Sequence, residues 1–228
     1  KLGLPRTCIT LDIGLGCSGY VYGLATMAGL MNSMGVEKGL LLVGDISTLN
    51  SAYRDKSTYP LFGDAGTATM ITKDPAAPPM FFSLEGDGAG HDAIMIHDGG
   101  MRNFLSRKSF SHKKIAPGIH RSNLHVALNG IEVFNFSLRE VVPNIKKLLA
   151  YSDENLNGFD YIVFHQANKL INDTLRKMLK IDKEKVPLSI HRYGNTSSAS
   201  IPLTIVSELR EEVRSRDQIG RASCRERV

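Results

Sequence analysis

Residues 8–34 read CITLDIGLGCSGYVYGLATMAGLMNSM, and the order of side chains in that run sets the fold class. Cys8 to Ile13 (CITLDI) is mostly apolar and rich in β-branched residues, which predicts a buried strand. Gly14 to Gly19 (GLGCSG) follows as a tight, glycine-rich turn. From Cys17 to Met34 there is no charge, and small side chains recur at Gly19, Gly23, Ala25, Ala28 and Gly29. That composition predicts a helix buried on every side. Leu40 to Val43 (LLLV) is a second apolar strand, so strand, helix and strand predict a βαβ unit on a parallel sheet.

The same grammar continues outward. A polar loop spans Asp45 to Tyr59, Gly66 to Thr72 reads as a strand, and Pro75 to Pro79 breaks the chain. Phe81 to Leu84 and Ala93 to Ile96 are expected as short strands, with Gly99 to Asn123 a long polar insertion. Asn129 to Ala150 is helical, with Val133, Phe134, Leu138, Val141 and Val142 on one face and a kink expected at Pro143. Tyr161 to Phe164 (YIVF) reads as a strand. Asn168 to Leu179 reads as an amphipathic helix with Leu170, Ile171, Leu175 and Leu179 inward and Lys169, Arg176, Lys177 and Lys180 outward. After a turn at Tyr193 to Ser198, Ile201 to Val213 is the last helix. The order is α/β in two related halves.

With 42% hydrophobic and 22% charged residues over 228 positions, the chain is neither disordered, collagen-like nor a disulfide miniprotein. Its net charge of +5 suits acidic partners but is too small to make nucleic acid the default. The three cysteines, Cys8, Cys17 and Cys224, cannot build a disulfide framework or a four-thiolate zinc site, which fits a reducing cytoplasm. No basic-then-apolar leader and no apolar run of about 20 residues is seen, so no membrane span is expected.

Four places carry candidate chemistry. Cys17 sits at a helix N-terminus, where unpaired N–H groups and the helix dipole favour a thiolate nucleophile; an inert core cysteine is the bland alternative. Gly14, Gly16 and Gly19 also spell the dinucleotide pattern G-x-G-x-x-G, for which Asp45 is the available ribose-binding acid. His165 closes the YIVF strand, where α/β sheets bind ligands, and Asn195 lies in a turn. His91 and His97 with Asp92 and Asp98 could hold a metal but lack a third convergent ligand, so no metal is expected.

Taken with their flanks, these residues resemble the ketoacyl-acyl carrier protein synthase III branch of the thiolase superfamily. The matching runs are Asp12 with Cys17-Ser18-Gly19-Tyr20, Leu61-Phe62-Gly63-Asp64-Ala65-Gly66, His165-Gln166-Ala167-Asn168 and Tyr193-Gly194-Asn195-Thr196-Ser197. The resemblance implies a thiolase-like αβαβα layered sandwich and a Cys17, His165, Asn195 triad. It further implies acyl transfer from acyl-CoA to Cys17, then decarboxylative condensation with malonyl-acyl carrier protein, by a cytoplasmic homodimer without a cofactor. Lys56, where the family usually has arginine, would line the pantetheine and nucleotide entrance with Leu61, Phe62, Gly130, Phe134, Ala167 and Asn168. Lys169, Arg176 and Lys177 would dock the acidic carrier protein.

On this reading residues 1–98 are the remainder of an N-terminal half, 99–126 an insertion, and 127–215 a C-terminal half cut short. Residues 216–228 are expected to be a non-native tail, and Cys224 falls outside the chemistry. The start at Lys1 without methionine fits a piece of a longer protein. A related acyltransferase or polyketide-type synthase, a nicotinamide-dependent oxidoreductase and a non-catalytic binding fragment stand as alternatives.

Overall fold

The computed structural model describes residues 3–214 and 222–226. The uncharged run becomes helix α1 (Gly19–Met34), ended by Gly35 in the left-handed conformation that glycine adopts without a Cβ clash. It lies on one face of a hairpin of two strands, β1 (Lys38–Ile46) and β2 (Asp64–Thr72), paired antiparallel from Lys38 opposite Thr72 to Ile46 opposite Asp64. The approach is close: a Cβ on Gly23 would stand 2.7 Å from Leu41 Cδ1, so the helix crosses the strand where it has no side chain.

Three expectations change here. Cys8 to Ile13 forms no strand; its backbone makes turn bonds at its ends, and Ile9, Leu11 and Ile13 are exposed. A strand exists by its ladder, and among the described residues none runs beside this segment. The pairing on α1 is therefore an antiparallel hairpin rather than a parallel βαβ unit. Burial also alternates along β1, leaving Leu40 and Leu42 outward, and α1 buries one side while Leu30 and Met34 face solvent.

β3 (Phe82–Gly86) pairs in parallel with the last strand, β8 (Ala222–Glu226). The remainder of the expected tail, 216–221 with 227 and 228, lies outside the described residues. β4 (Ile94–Met95) pairs with β7 (Ala127–Leu128), closing off the insertion, within which β5 (Lys113–Ala116) and β6 (Ile119–Arg121) form an irregular hairpin. That hairpin is fastened to the loop before β2: Lys56 N–H donates to Gly118 O, His120 N–H donates to Arg54 O, and Arg121 pairs with the buried Asp55 carboxylate at 2.8 Å.

The second half is built on α2 (Gly130–Ser152), capped by the Asn129 side chain and running through Pro143 as one helix. Its expected apolar face holds: Val142 is buried, and Val133, Phe134, Leu138 and Val141 pack on the same cluster. α3 (Lys169–Met178) adds Ile171, Leu175 and the following Leu179, but Leu170 points outward, 65% exposed. Tyr161 to Phe164 carries Phe164 into this core yet forms no ladder among the described residues, bonding instead through Ile162 N–H to Lys185 O. A short helix α4 (Ile190–Tyr193) leads through the Asn195 turn into α5 (Ser200–Glu208) and α6 (Arg210–Arg214), so the expected last helix is divided in two.

Candidate active site

Cys17, His165 and Asn195 all meet one segment, the turn from Tyr193 to Ser200. Gly194 enters it at φ 68° and Ser197 turns through it at φ 50°, a left-handed value that a serine holds only where its surroundings impose it. Asn195 lies next to the Leu61–Gly66 run as a parallel bridge opposite Phe62. Its N–H donates to Leu61 O at 2.8 Å, and its carbonyl accepts from Gly63 N–H at 3.0 Å. Gly63 is required there, because a Cβ would stand 1.9 Å from Tyr193 O. Asp64 in the same run is structural: its carboxylate accepts from the backbone N–H and hydroxyl of Thr48.

The Asn195 side chain is buried, and its Oδ1 accepts from Ser197 N–H at 2.9 Å. That bond assigns the amide orientation and leaves the Nδ2 amino group as the donating end. The neighbouring serines reach the nucleophile turn. A Cβ on Gly16 would lie 3.7 Å from Ser197 Oγ, and one on Gly19 would lie 3.2 Å from Ser198 Cβ. Cys17 is thus held between two glycines that let the serine loop approach, half-buried and immediately before α1, whose first turn carries no acid. The positive end of a 16-residue helix at that point favours an anionic sulfur.

His165 is tied to the other end of the loop. Its Nδ1 lies 2.6 Å from Ser200 Oγ, while Nε2 is buried without a hydrogen-bond partner. Burial lowers its pKa to about 4, so the imidazole is neutral at physiological pH. Gln166 beneath it is fully buried, donating to Phe164 O and accepting from Ser189 N–H. One neutral ring nitrogen, one amide amino group and one thiol therefore surround a shared loop, a set suited to nucleophilic acyl transfer with donors for an oxyanion.

The dinucleotide reading does not survive. Among the described residues no strand precedes the glycines, and the Asp45 carboxylate is engaged by the N–H and hydroxyl of Ser198. Among the described residues no group of three histidine, cysteine or acidic side chains is placed to hold a metal, so His91 and His97 have no third ligand. No helix among them is long and apolar enough to cross a membrane.

The outer residues divide. Lys56 is exposed, with its stem against Gly118, while Leu61 and Phe62 border the Asn195 turn. Phe134 and Ala167 pack on the second-half core, Asn168 caps α3 by accepting from Ile171 N–H, and Gly130 opens α2. Of the docking cations, Lys169 pairs with Asp173 and Lys177 is exposed. Arg176 is turned back onto Ile181 O at 2.9 Å, with Nε buried, because its guanidinium satisfies the chain leaving α3. It is not an outward charge. Asp45, Ser198 and Ser200 were not singled out for this site, and in sequence they are an acid after a strand and two turn serines.

Two family profiles match the chain: 3-oxoacyl-[acyl-carrier-protein] synthase III over residues 11–88, and the C-terminal portion of that synthase over 149–221. The beta-ketoacyl-[acyl-carrier-protein] synthase III of Acaryochloris marina is 32% identical over 208 residues, covering 90% of this chain and 60% of that protein. A crystal structure of a 3-oxoacyl-(acyl-carrier-protein) synthase III superposes with a TM-score of 0.85 at 35% identity, covering 98% of this chain and 66% of that one. A Burkholderia xenovorans 3-oxoacyl-(acyl-carrier protein) synthase gives 0.80 at 31% identity, covering 93% and 59%. The chain spans about 60% of the length of the curated relatives it matches. In sequence and in fold, the chain belongs to the 3-oxoacyl-[acyl-carrier-protein] synthase III family, with its thiolase-like α/β architecture.

Proposed function

We propose that the full-length protein condenses an acyl group from acyl-CoA with the malonyl group of malonyl-acyl carrier protein, releasing carbon dioxide and giving a 3-oxoacyl-acyl carrier protein. The observation that carries this reading is the single loop, Tyr193 to Ser200, bonded to His165 and to the Leu61–Gly66 run and packed against the Cys17 turn.

The Cys17 thiolate attacks the acyl thioester carbonyl, forming the S–acyl bond as the CoA thiolate leaves. Malonyl thioester then binds with its carbonyl oxygen toward Asn195 Nδ2 and His165 Nε2. Loss of carbon dioxide breaks the bond to the carboxylate carbon, and its electrons form an enolate whose oxygen those two donors stabilise. The enolate carbon attacks the acyl-Cys17 carbonyl, and the Cys17 sulfur departs. Burial of His165 suits this role, since a neutral ring can donate one hydrogen bond without bringing a charge that would trap the enolate. The carbanion arises from carbon dioxide loss, so the scheme needs no cofactor.

Leu61 and Phe62, which border the Asn195 turn, serve with Lys56 as the entrance. Lys169 and Lys177 provide the outward charge for the carrier protein, with Arg176 excluded by its inward bond. A cytoplasmic homodimer is the proposed setting, and Cys8 and Cys17, neither of them in a disulfide, suit a reducing compartment.

Mass spectrometry of the full-length protein with acyl-CoA is the test. Wild type gains one acyl group, Cys17→Ala gains none, and His165→Ala is acylated but no longer decarboxylates malonyl-acyl carrier protein. Acylation of the Cys17→Ala protein, or full condensation by His165→Ala, refutes the assignment.

A further inference from the structure

Ser200 opens α5 and is 1% exposed. Its Oγ has two polar neighbours, His165 Nδ1 at 2.6 Å and Gln166 N–H at 3.3 Å. The backbone N–H can only donate, so it takes a lone pair of Oγ and leaves the hydroxyl proton to be placed. Among the described residues the acceptor within bonding distance is Nδ1. If Nδ1 instead carried the ring proton, it too would donate to Oγ, and the hydroxyl proton would be buried with nothing to accept it.

We propose that Ser200 is a positioning residue that holds His165 in the tautomer protonated at Nε2, so that a hydrogen-bond donor faces the substrate carbonyl. The inference rests on the condensation reading for its purpose. Its geometry stands apart from that reading, because Nε2 is the buried ring atom left without a partner. The surrounding bonds keep Ser200 in place: its carbonyl accepts from Thr204 Oγ1 at 2.8 Å, Thr204 Oγ1 lies 2.7 Å from Ser189 Oγ, and Ser189 N–H donates to Gln166. The residues on either side of the imidazole are therefore locked to one another, and the ring proton falls to Nε2, the ring nitrogen left without a partner.

The consequence is a split between the two half-reactions. Acyl transfer to Cys17 does not use His165 Nε2–H in the scheme above, whereas enolate formation does. Removing the Ser200 hydroxyl releases both the ring orientation and the proton. It is expected to slow decarboxylation about tenfold, less than the roughly hundredfold cost of deleting an oxyanion donor outright.

The test uses the full-length protein labelled with 15N-histidine. In the wild type, 15N–1H correlation spectra are expected to show the His165 ring protonated at Nε2, with Nδ1 as a hydrogen-bonded acceptor. In Ser200→Ala, Nδ1 moves to the shift of an acceptor without a bond, malonyl-thioester decarboxylation falls, and Cys17 acylation stays within about twofold of wild type. Ser200→Thr, which keeps the hydroxyl, restores both the Nδ1 shift and the rate. A wild-type ring protonated at Nδ1 overturns the proposal whatever the variants do, as does undiminished decarboxylation by a folded Ser200→Ala protein. The spectrum reads the tautomer without turnover, so a protein that fails to condense counts against the functional reading and leaves the positioning claim to be decided by the spectrum.

Discussion

The carboxylate of Asp45 accepts both the backbone N–H of Ser198, at 3.0 Å, and the Ser198 hydroxyl, joining two elements 153 residues apart. It thereby ties the end of β1 to the loop that carries Asn195. Hydrogen bonds to a charged acceptor contribute more than neutral ones, so Asp45→Ala is expected to cost about 2 kcal/mol in urea unfolding. Because the role proposed for Asn195 is in the condensation and not in the first acyl transfer, the variant should lose condensation rate while keeping Cys17 acylation. Equal loss of both, measured by rapid-quench kinetics, contradicts this partition.

Gly63→Ala tests the same loop from the other side. The added Cβ would fall 1.9 Å from Tyr193 O, a backbone atom that cannot rotate away. The two chains must separate, which strains the Asn195 N–H to Leu61 O and Gly63 N–H to Asn195 O bonds. Overpacking of this kind costs about 1–3 kcal/mol. Thermal unfolding should show the drop, and a variant as stable as wild type with intact condensation would mean that the contact is not as drawn.

What the sequence made legible follows the reach of its signals. Helix α1 is legible from an uncharged run of small and apolar residues, α2 and α3 from a periodicity contained within each segment, and the four motifs because each lies within a short stretch of chain. Cys8 to Ile13 and Tyr161 to Phe164 were misread as strands, since an apolar run records a demand for burial but not the presence of a ladder partner. The inward turn of Arg176 and the outward face of Leu170 depend on how α3 is rotated against its neighbours, which composition does not encode. Asp45 was visible as an acid after a strand, yet its partner is a serine fixed only by the folded loop. Ser200 had no signal at all beyond lying in a run of small polar residues.

The insertion offers a third test. Asp55 is fully buried, and burial alone would raise its carboxyl pKa; the hydrogen bonds from Ser57 and Arg121 outweigh that and hold it below the usual carboxylate range. Deleting one member of such a pair strands the other charge, so Arg121→Ala is expected to cost about 3 kcal/mol. The loss should appear as early proteolysis within Lys113 to Arg121, because that pair, beside the Lys56 N–H to Gly118 O bond, fastens the hairpin to the loop before β2. Proteolytic resistance equal to wild type would place the fastening elsewhere.

His165 makes a pH prediction whose sign is fixed by its burial. Its folded pKa of about 4 lies below the ordinary value of 6.5, so between those values the unfolded chain binds a proton that the native state refuses. Stability then rises with pH across this window: the His165 contribution is complete above about pH 6.5 and is lost progressively on acidification toward pH 4. A depression of that size corresponds to about 3 kcal/mol at most. Other groups titrate nearby, so the measurement is a difference: unfolding free energy against pH for wild type and His165→Asn, which keeps a polar side chain but cannot charge. The wild-type curve should be the steeper between pH 4 and 6.5 and the two should run parallel above it. Curves parallel throughout would show that the imidazole accepts a proton in the folded protein as readily as in water. The proposed enolate donor at Nε2 would then belong to a charged imidazolium in mild acid rather than to a neutral ring.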